Sequence, residues 1–571
     1  MARRRSRTDR RARWQVLAPL VVLGLAAAAC GDGGGDGAGP GSAAATPTTE
    51  ARDEGDPVAG GSVTVGLVIE SSSLRPGTGT FNYNVGYALM DPLMVQTAEG
   101  TVEPYLAESL VANDALTEYA LTLREGVTFH DGTPLDAEAI KSNFDIYLKS
   151  DASTLRGTLR YVDSFEVTGE LTGTYTLSQP SAAFPDLLVT AAGMPFSPTA
   201  AESLGDAYLD NPVGTGAFRF VSWTRDSNLV VERYDDYWQE GLPYLDEITF
   251  RPITDEETRY SSLLSGDLDA IASQREHIVA RALGDEEQDL VKTAVFVGNS
   301  AGGSVINTLM PPVDDARVRL ALAHALNQED VISVMSGTGI TPVMTQYFGE
   351  ESPYYSDEVA AAWPTYDPEA ASEVLQGYVD DPARSDGKAP GAPVTIDYQC
   401  GVDPAQVERS QVYQAMWAAI GIQVNLIQVE PALYVDGVIG GPGSEPPFVG
   451  DYMINCWTFG SEADPFTTFD NSFGPVATQA NNVSNYTSPS LDEQIQILGS
   501  SDDLEVRRAA VEAIGLELAE KVPNVFAGSS VFMIATDPDL NNVNGWVLPD
   551  GTEGSGQTNM VTHWSQVWQT G

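Results

Sequence analysis

Cysteine, histidine and basic residues are scarce in this chain. Its 571 residues include 3 Cys, 4 His and 30 Lys or Arg, against 80 Asp or Glu. Three cysteines allow at most one disulfide, and the four scattered histidines form no metal-ligand motif. The net charge of −50 argues against nucleic acid and against an anionic membrane face as direct partners. The sequence therefore predicts no cofactor and no metal site.

Long hydrophobic runs are also scarce, and the one at residues 16–29 follows seven arginines. It is too short to span a bilayer as a mature helix. It ends in LAAAAC, which resembles a bacterial lipobox and implies cleavage before Cys30 and acylation of its thiol. Residues 1–29 are thus predicted to be a signal peptide, and residues 30–60 a lipidated flexible tether, because they are rich in Gly, Ala, Ser, Thr and Pro. The alternative is an ordinary secretory signal in which Cys30 is incidental.

Residues 393–457 alternate between strand and helix patterns. APVTIDYQC leads into a helix predicted from Pro404 to Ile420, and IQVNLIQV, a short helical piece and DYMINCW follow. This order predicts an open, mostly parallel sheet, in which right-handed crossovers set the strand order 2-1-3. Cys400 and Cys456 would then end neighbouring strands, at a distance that a disulfide can bridge.

Residues 121–140 contain a strand, a turn and a helix start. Leu121 and Leu123 alternate with polar residues, as in a half-buried strand. Asp131-Gly132 predicts a turn, because glycine readily adopts a positive φ. Asp136, followed by AEA, predicts an N-cap and an acidic first turn.

Three strings resemble the family 5 solute-binding proteins of ABC importers: LREGVTFHDGTPLDAEAI (123–140), NPVGTGAFRFVSW (211–223) and PPVDDARVRLALAHALNQEDVISVM (311–335). The resemblance implies a type II, periplasmic-binding-protein-like α/β fold, with two α/β lobes and an additional inserted lobe. It implies a monomer, held by its lipid anchor on the extracytoplasmic face of the cell membrane, that captures a peptide or similar solute and delivers it to permease subunits. The implied divisions are lobe I (61–85, 206–295 and 536–571), the inserted lobe II (86–205) and lobe III (296–535).

The candidate ligand-binding residues fall in two segments. CWTFGSEADPFTTF, at the end of the third strand, supplies Trp457, Phe459, Glu462 and Asp464, and such strand ends carry the ligands of open α/β lobes. The resemblance adds the loop with Phe81 and Tyr83, at the mouth of the cleft.

The chain departs from the peptide-binding members at one position. Those members resemble Trp-x-Ala-Asp-Tyr, in which the Asp pairs with the peptide's α-amino group. Gly460 stands there in this chain. Either Glu462 or Asp464 replaces that Asp, or the solute is not a peptide held by its amino end.

Two other functions compete with this interpretation. Gly298 to Gly302 match Gly-x-Ser-x-Gly, so a secreted serine hydrolase using Ser300 is one alternative. However, strands are predicted at residues 294–297 and 304–309, whereas a nucleophile elbow needs a helix directly after the serine. A receptor that reports solute to a membrane sensor, without transport, is the other alternative.

Overall fold

The structure is a computed structural model that describes residues 55–149, 153–156, 159–335, 339–350, 352–402, 404–430, 434, 437–438, 450, 452–457, 464–475, 482–555 and 561–570. The predicted signal peptide, Cys30 and most of the predicted tether lie outside these residues. No helix in the described part of the chain is both long and apolar enough to cross a membrane.

Eighteen strands are found in the described residues. In chain order they are β1 Ser62–Leu67, β2 Met94–Gln96, β3 Val102–Pro104, β4 Ala107–Ala112, β5 Glu118–Leu123, β6 Val162–Val167, β7 Thr172–Leu177, β8 Phe218–Thr224, β9 Asn228–Arg233, β10 Glu247–Pro252, β11 Ala270–Ser273, β12 Lys292–Ile306, β13 Thr395–Gly401, β14 Gln423–Val429, β15 Ile454–Asn455, β16 Asn524–Thr536, β17 Leu540–Asn541 and β18 Trp568–Gln569.

The α-helices of the same residues are α1 Tyr83–Leu89, α2 Ala137–Lys149, α3 Phe184–Leu187, α4 Pro198–Leu204, α5 Glu256–Leu264, α6 Glu276–Glu286, α7 Ala316–His324, α8 Gln328–Met335, α9 Asp357–Ala362, α10 Pro368–Val379, α11 Pro404–Ala419, α12 Pro465–Phe473, α13 Pro489–Ser500 and α14 Leu504–Lys521. Several begin at a side-chain cap. Asn327 Oδ1, for example, accepts from the Asp330 amide at 3.2 Å ahead of α8, which is a typical helix start.

A ten-stranded mixed sheet organises the fold, in the order β14-β13-β15-β12-β16-β11-β1-β10-β9-β8. β13 pairs in parallel with both β14 and β15. The predicted order 2-1-3 for the strands of residues 393–457 is therefore confirmed. The helix between the first two of these strands begins at Pro404 as predicted and ends at Ala419, one residue early.

The antiparallel strands β12 and β16 join the two halves of this sheet. Lys292 lies opposite Thr536, and the register shifts between Val297 and Gly303. The predicted divisions between lobe I and lobe III, at 295/296 and 535/536, fall inside these two strands. Both connections between those lobes therefore run through one strand pair, which is irregular at its middle.

A separate four-stranded antiparallel sheet, in the order β4-β5-β7-β6, lies within the predicted inserted lobe. In β5, Leu121 and Leu123 are buried as their alternation predicts. Gly132 has a φ of +79°, and Asp136 Oδ1 accepts from the Ala139 amide at 2.8 Å at the start of α2. The strand, turn and capped helix predicted for this stretch are all confirmed.

His130, in the turn after β5, joins two of the strings on which the family resemblance depends. Its Nδ1 accepts from the Gly214 amide at 3.3 Å, so its Nε2 carries the proton and donates to the Gly216 carbonyl at 2.9 Å. Burial lowers the pKa of His130 to about 4. The neutral ring therefore holds these two segments together through its two hydrogen bonds.

The glycine pair of the second string allows a close backbone approach. A Cβ on Gly216 would lie 2.4 Å from the carbonyl carbon of Leu89 and 2.5 Å from the Met90 nitrogen. Neither Gly214 nor Gly216 has a positive φ. The pair is thus needed for contact with the end of α1, in addition to the bend that its position predicts.

Asp91 is a buried carboxyl group next to this contact, with a relative exposure of 4%. Its Oδ2 accepts from the Tyr237 hydroxyl at 2.8 Å and from Trp238 Nε1 at 2.7 Å. Burial raises the pKa of Asp91 to about 7, although both hydrogen bonds act in the opposite direction.

Asp91→Asn is expected to remove part of the pH dependence of stability. Because the folded-state pKa lies above the unfolded value, wild type should lose stability as the pH rises from about 4 through 7. Between pH 5 and pH 8 we expect the free energy of unfolding of wild type to fall by about 2–3 kcal/mol because of this group, and we expect no such fall in Asp91→Asn. Urea unfolding measures the difference. Asp114→Asn, at an exposed carboxylate, is the matched control. Equal pH profiles for Asp91→Asn and wild type would contradict this account.

Candidate solute-binding site

The carboxyl ends of β13 and β15 form the edge where the sequence places a ligand. The Cys456 amide donates to the Gln399 carbonyl at 3.0 Å, which continues the parallel pairing past the last residue of β15. A disulfide joins Cys400 to Cys456, with their Cα atoms 5.0 Å apart. The disulfide therefore ties together the two strand ends from which the candidate segment starts.

A guanidinium group and an aromatic ring lie at this edge. Arg409, on α11, donates from Nη2 to the Cys456 carbonyl at 2.7 Å. Its guanidinium also lies within hydrogen-bond reach of the Tyr398 hydroxyl, and its buried Nε has no acceptor of its own in the described part of the chain. Trp457 is half-buried, with its amide bonded to Asn455 Oδ1 at 2.7 Å and its ring centroid 6.2 Å from that of Tyr434. A cation and an aromatic ring at the same strand ends suit a solute with a carboxylate and an apolar part.

Tyr398 links this edge to β12. Its hydroxyl lies 2.6 Å from Ser304 Oγ, and both side chains are buried. Burial raises the pKa of Tyr398, while the nearby Arg409 charge opposes that rise. The hydroxyl is therefore neutral, and it couples the strand that bears the site to a strand that connects the lobes.

Asp464 lies at the N-cap of α12. Its Oδ1 accepts from the amides of Phe466 at 2.7 Å and Thr467 at 3.4 Å, and its Oδ2 accepts from the Arg507 guanidinium. Burial raises the pKa of Asp464, against the effect of the Arg507 charge. These contacts give Asp464 a structural role, and its contact with a solute stays a prediction.

The other predicted ligand residues are distributed as follows. Phe459 and Glu462 lie outside the described residues. Phe81 and Tyr83 form an edge-to-face pair with centroids 5.5 Å apart. They pack on a core that contains residues of the predicted lobe I and the predicted inserted lobe, whereas Trp457 packs on a second core, made mostly of residues of the predicted lobe III. The structure thus brings Phe81 and Tyr83 together and assigns them to a different core from Trp457.

Arg409 is a candidate that the sequence interpretation missed. A helix that follows a parallel strand starts near that strand's carboxyl end. The polar residues in the first turns of the predicted helix were therefore candidates for the same edge. Glu408 and Ser410 flank it as other polar residues, so the pattern alone did not single out the arginine.

Ser300 does not lie at a nucleophile elbow. Residues 292–306 form the single strand β12, so the two separate strands predicted on either side of Ser300 are wrong. A nucleophile elbow needs a strand that turns directly into a helix at the serine. The backbone required for the hydrolase alternative is absent from this described stretch.

The fold and this strand-end site define a class: a multi-lobed, periplasmic-binding-protein-like α/β protein whose lobes are connected by paired strands. Residues 101–478 match the family described as bacterial extracellular solute-binding proteins, family 5. The chain belongs to that family. It is a family of binding proteins, not of enzymes, so the hydrolase alternative is set aside.

Individual relatives agree with this assignment. The glutathione-binding protein GsiB of Salmonella paratyphi A is 32% identical over 291 residues, which cover 49% of this chain and 54% of that protein. The chain thus spans about half the length of the curated relatives that it matches.

Solved structures share the fold. The oligopeptide-binding protein AppA of Bacillus subtilis, in complex with a nonapeptide, aligns with a TM-score of 0.71 and 20% identity, over 90% of this chain and all of AppA. AgaA of A. tumefaciens, in complex with agropinic acid, aligns with a TM-score of 0.71 and 22% identity, over 90% of this chain and 99% of AgaA.

Proposed function

We propose that this protein is the solute-binding component of an ABC importer and that it captures a peptide with a free carboxylate. Membership of family 5 supports the transport role, and glutathione and the nonapeptide, the ligands of GsiB and AppA, are peptides. The observation that carries the solute class is the Arg409 guanidinium, which donates to the carbonyl of Cys456, the residue directly before Trp457, at the carboxyl ends of β13 and β15.

In this proposal the cleft between the lobes takes up the solute, and Trp457 covers an apolar side chain. Arg409 binds the carboxylate, because a guanidinium group offers two parallel donors to it. Phe459, Glu462, Phe81 and Tyr83 complete the contact surface. Glu462 and Asp464 were the two candidates to bind a solute amine. Because Asp464 is bonded to amides of α12 and to Arg507, Glu462 is the remaining one.

The location belongs to the same proposal. The mature protein is a monomer on the extracytoplasmic face of the cell membrane, held by a lipid on Cys30 and a tether that reaches to about residue 60. Permease subunits receive the solute. Without residues 1–29 the chain carries 23 basic and 79 acidic residues, so the lipid, and not charge, is the source of its membrane affinity.

The first test is native mass spectrometry of protein purified from its own host, followed by calorimetric titration with the peptides that co-purify and with reduced glutathione. Each ligand is compared with its C-terminal amide. We expect wild type to bind the free acid about tenfold more tightly, the equivalent of one charge-assisted hydrogen bond. Arg409→Gln should bind acid and amide equally, and Trp457→Ala should weaken both.

The matched control is Arg281→Gln, at an exposed ion pair with Glu257 in lobe I, which should behave as wild type. A co-purified solute without a carboxylate would refute the solute class. Equal preference for the free acid in Arg409→Gln and wild type would refute the role of Arg409.

A further inference from the structure

The inserted lobe contacts lobe III through a small polar cluster. The Arg160 guanidinium pairs with Asp470 Oδ2, on α12, and the Tyr161 hydroxyl donates to the same oxygen at 3.0 Å. The Arg160 guanidinium carbon also lies 4.4 Å from the centroid of the Tyr161 ring. The Asp470 side chain is only 4% exposed, so protein groups and not water compensate its charge.

Apolar and backbone contacts extend this cluster. The Tyr161 and Phe466 rings lie 6.3 Å apart, and the Ala182 amide donates to the Gly499 carbonyl at 2.8 Å. Ala183, from the inserted lobe, is buried in the core of lobe III. Two segments of the inserted lobe therefore meet two helices of lobe III, α12 and α13.

This contact joins two lobes that the chain does not connect directly. Within the predicted divisions, the inserted lobe leaves lobe I near residue 85, returns near residue 206 and shares a core with it. Lobe III is connected to lobe I through β12 and β16. If the lobes separate about those two strands, the contact between Arg160 and Asp470, 310 residues apart in sequence, must break.

We propose that Arg160, Tyr161 and Asp470 form a latch that holds the inserted lobe on lobe III in the closed form. Closing buries the Asp470 carboxylate, and the Arg160 guanidinium and the Tyr161 hydroxyl compensate its charge there. Opening returns the carboxylate to water. Loss of Arg160 therefore destabilises the closed form and leaves the open form unaffected.

The latch acts on the helix next to the proposed solute segment. α12 begins eight residues after Trp457 and carries Asp470 on its second turn. Closure would thus position this helix from the side of the inserted lobe, independently of the solute and of the Arg409 edge. The inference does not depend on which solute is bound.

The test is a distance measurement between the inserted lobe and α13. Nitroxide labels on p-acetylphenylalanine at positions 163 and 493, both exposed, leave the cysteines untouched. Pulsed electron paramagnetic resonance on solute-free protein should show a short, closed distance in wild type. Arg160→Gln and Asp470→Asn should each raise the ratio of open to closed molecules about fivefold, and the double variant should add little more, because both changes remove one interaction.

Two comparisons make the outcome decisive. Arg160→Lys should restore part of the closed population, and Arg219→Gln, which breaks an exposed pair with Glu232 inside the β8–β9 hairpin, should leave the distances as in wild type. Circular dichroism checks that each variant is folded. Additive effects of the two changes, unchanged distances in Arg160→Gln, or a wild type without the short distance would overturn the latch. None of these results bears on the solute class.

Discussion

Arg507→Gln is expected to lower the free energy of unfolding by about 3–5 kcal/mol at pH 7.5. Arg507 is the charge partner of Asp464, and both side chains are at most 9% exposed. Without the guanidinium, a buried carboxylate at the start of α12 is left uncompensated. We expect a smaller loss at pH 5, because protonation of Asp464 then removes the unpaired charge.

Urea unfolding followed by circular dichroism measures this effect. Arg508→Gln is the matched control, since it changes the adjacent residue of α14, which pairs with the largely exposed Glu505. It should cost less than about 1 kcal/mol. Similar losses in the two variants, or a loss in Arg507→Gln that does not shrink at low pH, would contradict the role assigned to the pair.

Replacing both Cys400 and Cys456 by Ser is expected to cost about 4 kcal/mol. The disulfide closes a loop with a sequence separation of 56 residues, and cross-links of that span restrict the unfolded chain by an amount of this order. Because Trp457 follows Cys456 directly, the double variant should also bind solute more weakly than wild type.

The measurement is urea unfolding of the double variant beside wild type with and without reducing agent. Reduced wild type should unfold at the same urea concentration as the double variant, and oxidised wild type should unfold at a higher one. Free-thiol titration of the unfolded, unreduced protein gives an independent check, with neither Cys400 nor Cys456 reacting. Equal stability of oxidised and reduced wild type would count against the cross-link.

Local sequence patterns predicted much of the fold. The alternation of strands and helices between residues 393 and 457 predicted a parallel order that the sheet confirms. The cap at Asp136 was likewise predicted correctly. In residues 294–309 one strand was divided into two, whereas β12 runs from Lys292 to Ile306 and pairs with β16 on both sides of a shift in register.

Less of the candidate site could be predicted from the sequence. Trp457 was placed at the correct edge because strand ends follow from the order of elements. The pairing of Asp464 with Arg507 was not predicted, since Arg507 lies 43 residues further along the chain. Arg409 reaches the same edge from a helix whose other polar residues look equivalent in sequence.

The sequence by itself determined which segments become strands and helices, how the parallel strands are ordered, and the family. These properties depend on periodicity, caps and crossover handedness, which are encoded by neighbouring residues. Only the tertiary structure decided which polar groups meet: His130 with Gly214 and Gly216, Asp91 with Tyr237 and Trp238, and Arg160 with Asp470. Those pairings follow from how distant segments pack, and a buried polar group takes the partner that the fold brings within hydrogen-bond distance.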